Sequence, residues 1–447
     1  MFSYFVLAVL LLLLCVGVFF LFKKDILSPS VVSCAVFLFA VMLAILGIGV
    51  WNSELELSSK TITVILVGLV AFLVGELVAR SIVFSRRKGD NNVSKYSYRK
   101  IGEIPISIGI AFLVVVLVFI VLSFLNIKGI CSMYGISMSS LPEMLSVYRS
   151  NLPLFNDDPR VYSDTLSSIV SKLQIVVDVI YAICSFDLSM YVTHRENKRR
   201  KVLMSVIIVV ISLLSTILTS GRSKMMKYIS TTLVIYVILM LKNGAKTLAQ
   251  KNRKIIRVVI ASALVILPLF YGLLSVVGRE TDSDMTDYIS FYYGAEIPSL
   301  NIYLRTADSQ SEIFGNETFY GIQKILYKLK IIDYKNIISR EFIYLSGLRS
   351  NIYTSLRRYY ADFGMIGVVI CQAVFGFIVT KMYLFAKRKE DIRYLLFYSV
   401  FFSMLIDQVR DDLFWTRFFA INTLYYIVVI YCMVWLTFGK KNETSKV

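Results

Sequence analysis

Histidine is almost missing from this chain: 447 residues contain one, His194. A His-based nucleophilic triad or a His-rich zinc site needs imidazoles on the reacting face. The connection that carries His194 is read below as cytoplasmic, which excludes both from the opposite face. Charge is also scarce, at 17% Asp, Glu, Lys and Arg, well below the roughly 25% of a soluble domain. Five of the six cysteines (Cys15, Cys34, Cys184, Cys371, Cys432) lie in apolar runs and only Cys131 in an outside loop. No disulfide framework can be drawn from that distribution, and the thiols read as small apolar core groups. There is no P-loop and no GxGxxG, so nucleotide-fuelled chemistry has no support. No internal repeat is visible, and an odd number of spans argues against the two-fold repeats of many transporters.

Lipid-facing surface is abundant. Hydrophobic residues make up 57% of the chain, and they gather into runs of roughly 20, the length a helix needs to cross about 30 Å of hydrocarbon. The pattern predicts an all-α polytopic membrane protein, a single integral membrane domain over 1–447 with about eleven transmembrane helices. Their limits are Phe2 to Phe22, Val31 to Val50, Thr61 to Ala79, Ile106 to Leu125, Leu166 to Val192, Val202 to Thr219, Met225 to Leu241, Val258 to Val277, Ala361 to Ala386, Leu395 to Ile406 and Phe418 to Phe438. The first run has no basic region before it and no small-residue cleavage site, and reads as a retained span. Lys and Arg collect in alternate connections: Lys23/Lys24, six in Arg86 to Lys100, five in Arg195 to Lys201, six in Lys242 to Arg257, four in Lys387 to Arg393 and three in Lys440 to Lys446. Positive loops stay in the cytoplasm. The amino terminus and two long polar loops, 126–165 and 278–360, are thus expected outside and the carboxyl terminus inside. The net charge of +18 is mainly this topology signal, so nucleic acid is not an expected partner, while a basic cytoplasmic face attracts anionic lipid.

The larger outside loop carries the densest chemistry. Arg279 to Glu317 holds two basic and eight acidic residues, whereas Thr318 to Tyr360 holds eight basic and two acidic. The basic half ends on Arg349, Asn351, Tyr353, Arg357, Arg358, Tyr359 and Tyr360. Guanidiniums and phenols at the mouth of a span suit a phosphate or a sugar. If the segment is helical up to the ninth span, Tyr353, Arg357 and Tyr360 share one face. Ile322, Ile325, Leu326 and Leu329 recur at helical spacing, predicting an amphipathic helix that lies on the membrane or roofs the spans. Eleven tyrosines in the loop could form a wet surface for sugar rings or an interface belt.

Other polar breaks add candidates. Ser220-Gly221-Arg222-Ser223-Lys224 is a tight hairpin that does not itself require an arginine; Arg222 reads as a diphosphate contact or as a snorkelling interfacial residue. Arg149 follows an amphipathic helix that starts at Leu141. Asp407-Gln408-Val409-Arg410-Asp411-Asp412 would place Asp407 and Asp411 on one face if the tenth helix runs on, either as a salt-bridge cluster or as working charges. Asp178, deep in the fifth span, reads as a helix-to-helix partner.

Four stretches together resemble the Wzy-type oligosaccharide repeat-unit polymerases of O-antigen and capsule synthesis: FGNETFYGIQKIL (Phe314 to Leu326), SNIYTSLRRYYADFGMIGVVI (Ser350 to Ile370), the SGRS hairpin and VYRS (Val147 to Ser150). The resemblance covers about Leu141 to Gly376 in topology and motif order. It implies a metal-independent glycosyltransferase without a cofactor in a bacterial plasma membrane. Such an enzyme moves a growing glycan from undecaprenyl diphosphate onto a new undecaprenyl-diphosphate-linked repeat unit, with a chain-length regulator and a flippase as partners. Departure of a diphosphate needs fixed positive charge, for which the candidates are Arg149, Arg222, Arg279, Arg349, Arg357, Arg358 and Arg410. Asn351, Tyr353 and Tyr360 are the accompanying glycan contacts. Without an outside histidine the base must be a carboxylate: Asp362, Asp407 or Glu296. An O-antigen ligase, a flippase or exporter of lipid-linked sugars, and a scaffold subunit remain alternatives.

Overall fold

In the computed structural model, residues 1–85, 103–135, 140–150, 165–194, 199–219, 222–242, 247–272, 274, 283–306, 313–333 and 341–442 are described. About 81% of the described residues are helical. In chain order the helices are α1 (Phe2–Leu21), α2 (Pro29–Leu46), α3 (Ser59–Ser85), α4 (Ile106–Met133), α5 (Leu141–Ser150), α6 (Thr165–His194), α7 (Arg199–Ser215), α8 (Arg222–Lys242), α9 (Leu248–Gly272), α10 (Met285–Gly294), α11 (Glu296–Thr306), α12 (Tyr320–Lys328), α13 (Ser355–Arg388), α14 (Ile392–Phe401), α15 (Ser403–Asp407) and α16 (Ile421–Asn442). Two three-residue strands, β1 (Ile343–Leu345) and β2 (Leu348–Ser350), form an antiparallel hairpin. Among the described residues nine helices are long and apolar enough to span a membrane, and Val202–Leu218 is a shorter apolar stretch. Helices dominate because backbone groups in hydrocarbon must be satisfied within their own segment.

The chain divides into two compact units. The first comprises Met1–Ser94, Ser283–Phe385 and Met404–Thr423. Its core joins Tyr4, Leu7 and Leu11 of α1, Phe37, Ala40 and Val41 of α2, Val64 and Leu69 of α3, Ile297 and Leu300 of α11, and Leu356, Tyr359 and Val368 of α13. One end of this unit holds the start of the chain, the connection after α2 and the second half of α11: the Leu57 amide donates to Ser3 Oγ (2.7 Å), the Ser58 amide to Asn301 Oδ1 (2.9 Å) and Lys60 Nζ to the Leu304 carbonyl (2.8 Å). At the other end, Tyr383 donates its hydroxyl to both Asp25 oxygens, at 2.8 and 2.9 Å. The amino terminus and the second half of α11 therefore meet at one end of this unit. Cysteines at Glu56 and at Lys330 are expected to react with an impermeant thiol reagent on intact cells, and one at Lys24 only after lysis. The reverse pattern would invert the orientation.

Several boundaries differ from the sequence expectation. The segment 283–306 is no solvated loop: α10 and α11 are helices, and α11 is buried along most of its length. Tyr303, Tyr353 and Tyr359 are buried, so they do not form a wet tyrosine surface. The ninth span begins at Ser355 instead of Ala361 and is broken at Gly364, whose φ of 63° and ψ of −151° suit only glycine. The tenth span is interrupted between α14 and α15 and ends at Asp407, where the Arg410 and Asp411 amides both donate to the Asp407 carbonyl (2.7 and 2.8 Å) and close a turn. The second of these bonds is an i to i−4 bond, so one further helical turn carries Asp411 past the end of α15. The eighth span starts at Leu248, because Lys251, Arg253, Lys254 and Arg257 continue a helix that hydropathy alone cuts short.

The second unit comprises Lys95–Asp282, Ala386–Ser403 and Leu424–Val447. Asp178 of α6 ties it together. Its carboxylate accepts from Lys227 Nζ (2.7 Å) and Tyr228 OH (2.7 Å) of α8, from Gln174 Nε2 (2.9 Å), and from Tyr426 OH of α16. A carboxylate at that depth needs such partners, and this one links three helices. The amphipathic α5 packs Met144 and Leu145 on Ile127 and Cys131 of α4, with Tyr148, Ile217 and Leu218 alongside.

Candidate functional site

The first unit concentrates ionisable side chains where the polar segments meet α13. After the hairpin, residues 351–354 have no regular secondary structure and α13 opens at Ser355. Successive residues at the start of a helix point about 100° apart, so Arg357, Arg358 and Tyr359 diverge to three sets of partners. Arg357 Nη1 pairs with the Glu317 carboxylate, and its guanidinium lies over the rings of Tyr303 (4.5 Å) and Tyr353 (4.8 Å). Arg358 donates from Nε to Asp411 Oδ1 (2.8 Å) and from Nη1 to the Glu317 carbonyl (3.3 Å). Tyr359 donates to Asp412 Oδ1 (3.0 Å). Tyr353 does reach Arg357, but from the irregular segment before the helix and with its hydroxyl donating to the Glu341 carbonyl (3.1 Å). It holds the guanidinium in place through its ring. Tyr360 stands apart, its ring beneath Lys60 Nζ (5.0 Å).

The turn preceding α12 wraps onto this helix start. Asp362 accepts the backbone N–H groups of Glu317 (3.2 and 3.1 Å) and Thr318 (2.6 Å). Its oxygens are therefore engaged in fixing the turn that presents Glu317 to Arg357, a positioning task. Gly321 permits the closing contact: a Cβ there would lie 2.5 Å from the Thr416 carbonyl oxygen. The amphipathic helix thus roofs the π-helical turn Phe414–Phe418 and is not laid flat on lipid along its whole length. Phe314, Phe319 and Phe363 pack around the same junction, with Phe319 against Trp415.

The connection from α15 to α16 supplies the third guanidinium. Arg410 lies over the rings of Tyr292 (4.4 Å) and Tyr293 (5.4 Å), with Asp407 Oδ1 4.0 Å from its Nη1 and Glu296 Oε1 3.4 Å from its Nε. The Glu296 pair is an ion pair without a hydrogen bond: Arg410 Nε and both Glu296 oxygens lack one. Burial raises the Glu296 carboxyl to about 8, against the lowering pull of Arg410. Asp412 is one-sided. Its Oδ1 accepts from Tyr359 OH and from the Phe414 and Trp415 amides (3.0 and 3.1 Å), while buried Oδ2 has no partner. Burial pushes this carboxyl up to about 7 despite Arg358.

Comparison with protein-family models, characterised proteins and solved structures gave no match. The site must therefore be read from its own chemistry.

The remaining sequence candidates fall outside this cluster. Arg349 is exposed on β2 with its guanidinium 3.5 Å over the Phe342 ring, and Asn351 is half-buried just after the hairpin. Arg149 belongs to the second unit, where it is half-buried with a buried, unbonded Nη1. Arg222 opens α8 in the same unit, but its side chain, like Arg279 and the 151–164 stretch, lies outside the described residues. The apolar cluster of Tyr148, Ile217 and Leu218 nevertheless brings the VYRS helix to the approach of the SGRS hairpin. Sequence reasoning missed Glu317 as a site member and read Asp411 and Asp412 only as part of a charged stretch around Arg410. Glu317 sits inside the FGNETF stretch, and the paired aspartates adjoin Arg410, so each had a local signal.

What distinguishes the cluster is unmet hydrogen-bonding capacity. Buried polar atoms are normally paired, yet Arg357 Nε, Arg410 Nε, Trp415 Nε1, Glu296 Oε1 and Oε2, Gln408 Oε1 and Asp412 Oδ2 are buried here with no partner among the described residues. Donors and acceptors are both represented. A ligand rich in anionic oxygens and hydroxyls could engage both.

Proposed function

We propose that this protein polymerises lipid-linked oligosaccharide repeat units, transferring a growing glycan from undecaprenyl diphosphate to a new undecaprenyl-diphosphate-linked unit at the outer face of a bacterial plasma membrane. The observation that carries the reading is the set of three guanidiniums, Arg357, Arg358 and Arg410, fixed by carboxylates and aromatic rings at one end of the first unit with bonding capacity left over. Loss of a diphosphate leaving group develops negative charge, and preoriented arginines stabilise it without reorganising in the transition state. Arg357 is the most constrained of the three. Its two flanking tyrosines and Glu317 fix the plane of the fork, and Nε remains unbonded. The resemblance of the 314–326 and 350–370 stretches to repeat-unit polymerases supports the same chemistry.

Deletion of the gene followed by gel analysis of surface polysaccharide tests the proposal. A single-repeat pattern is expected. Accumulated unattached polymer would instead indicate a ligase, and absence of surface sugar a flippase or exporter.

A further inference from the structure

Glu296 and Arg410 form an unusual pair. The carboxyl is completely buried at the first turn of α11, both oxygens unbonded, and the nearest donor, Arg410 Nε, is itself unbonded 3.4 Å away. A buried donor and a buried acceptor facing each other without bonding match a group that accepts from one and donates to the other, which is what a hydroxyl does. Arg410 keeps 14% side-chain exposure, so the pair is reached from its side, past the rings of Tyr292 and Tyr293. The other carboxylates of the cluster are held by partners or less enclosed: Asp407, 4.0 Å from Arg410 Nη1, keeps 21% side-chain exposure. Glu317 is held by Arg357, Asp411 by Arg358 and Asp362 by two backbone amides, while Asp412 spends one oxygen on three donors and has no unbonded cation beside the other.

We propose that Glu296 is the general base of the transfer and that Arg410 orients the acceptor sugar hydroxyl against it. This rests on the polymerase reading given above. In the step, the acceptor O–H proton passes to a Glu296 oxygen as the hydroxyl oxygen bonds to the anomeric carbon of the donor. The bond from that carbon to the diphosphate oxygen breaks, and its electron pair leaves on undecaprenyl diphosphate. The products are one glycosidic bond, one free lipid diphosphate and a protonated Glu296.

The spacing suits this division of labour. Tyr303, which stacks on Arg357, lies seven residues after Glu296 on α11, two turns or about 10 Å along the axis. That separation accommodates a hydroxyl within about 3 Å of its base and an anomeric carbon a further 3 Å or so away, with the leaving diphosphate at Arg357. The groups facing Glu296 are Arg410 and Asp407 from the 407–410 turn, with Tyr292 and Tyr293 of α10 on the far side of the guanidinium. Burial keeps the carboxyl largely protonated at neutral pH, because its value stands at about 8. The base form, and hence the rate, increases as pH rises through that value.

The test uses purified full-length protein and two lipid-linked repeat units. Parent enzyme should show a rate that climbs between pH 6 and 9, and Glu296→Gln should lose roughly 10² to 10⁴-fold in rate while retaining acceptor binding, with Glu296→Asp partly rescued. Thermal unfolding adds a readout independent of activity. Folding favours the protonated carboxyl, so the parent should lose stability relative to Glu296→Gln as pH rises from about 4.5 toward 8. Polymer made by Glu296→Gln within a few-fold of the parent would overturn the assignment and leave the polymerase reading standing. If Glu296→Gln fails to fold, a flat parent pH profile overturns it equally. Loss of the pH dependence in Asp412→Asn but not in Glu296→Gln would transfer the role to Asp412. A parent enzyme that makes no polymer from authentic substrates would remove the polymerase reading and this assignment with it.

Discussion

Arg357→Gln should leave a folded protein in the membrane whose transfer rate is lower by roughly 10² to 10³-fold, the loss of about 3 to 4 kcal/mol of transition-state stabilisation that one preorganised donor supplies. The guanidinium is buried between two tyrosine rings with Glu317 on one nitrogen and Nε free, so glutamine replaces a fixed fork with a neutral amide. Part of any loss could come from stranding Glu317 beside Arg358, 3.8 Å away. The Arg357→Gln, Glu317→Gln double variant separates the two effects. It should recover thermal stability without recovering rate. Arg357→Lys should stay far below the parent, because an ammonium keeps the charge but not the planar two-point geometry. Rates measured on purified variants decide: an Arg357→Gln enzyme near the parent rate would reduce this residue to an anchor of the ninth span.

The second large effect concerns folding alone. Glu76, in the second half of the third span, is fully buried and receives five hydrogen bonds: from Ser28 Oγ (2.6 Å), from the Ser30 amide and hydroxyl (2.7 and 2.6 Å), and from Arg80 Nε and Nη2 (2.8 and 2.5 Å). It thereby caps the start of α2 from a neighbouring helix, and Arg80, resting 4.2 Å over the Phe22 ring, continues toward Asp25 at 3.9 Å. Glu76→Ala would strand a guanidinium and several donors in a poorly hydrated place, at a cost of about 3 to 5 kcal/mol. The expected result is loss of most folded protein in detergent at growth temperature, read by thermal unfolding and size-exclusion profile. Glu76→Gln should recover part of that loss by accepting from the serines. Substrate turnover of whatever folds should be unchanged, since the cluster lies at the opposite end of the first unit from the arginines.

Most spans were legible in the sequence, nine helices of spanning length among the described residues against about eleven expected, because hydrocarbon admits few solutions: an apolar run of about 20 residues must close its own backbone hydrogen bonds. Composition fixed the all-α class. The amphipathic stretches from Leu141 and around Ile322 also emerged where their spacing put them. The site was only half legible. Arg357, Arg358 and Arg410 stood out because charge near a span mouth is costly unless used. The carboxylates that hold them did not, since Glu317 lies 40 residues from Arg357, and Asp411 lies 53 from Arg358. The face expected to join Tyr353, Arg357 and Tyr360 failed for a local reason, the helix beginning only at Ser355. Glu76 offered one local signal, Arg80 four residues on, while the serines it caps lie 46 and 48 residues away. Which charges pair, which tyrosines are buried and which carboxyl stays unbonded depend on contacts between segments distant in the chain, and those only the tertiary structure decided.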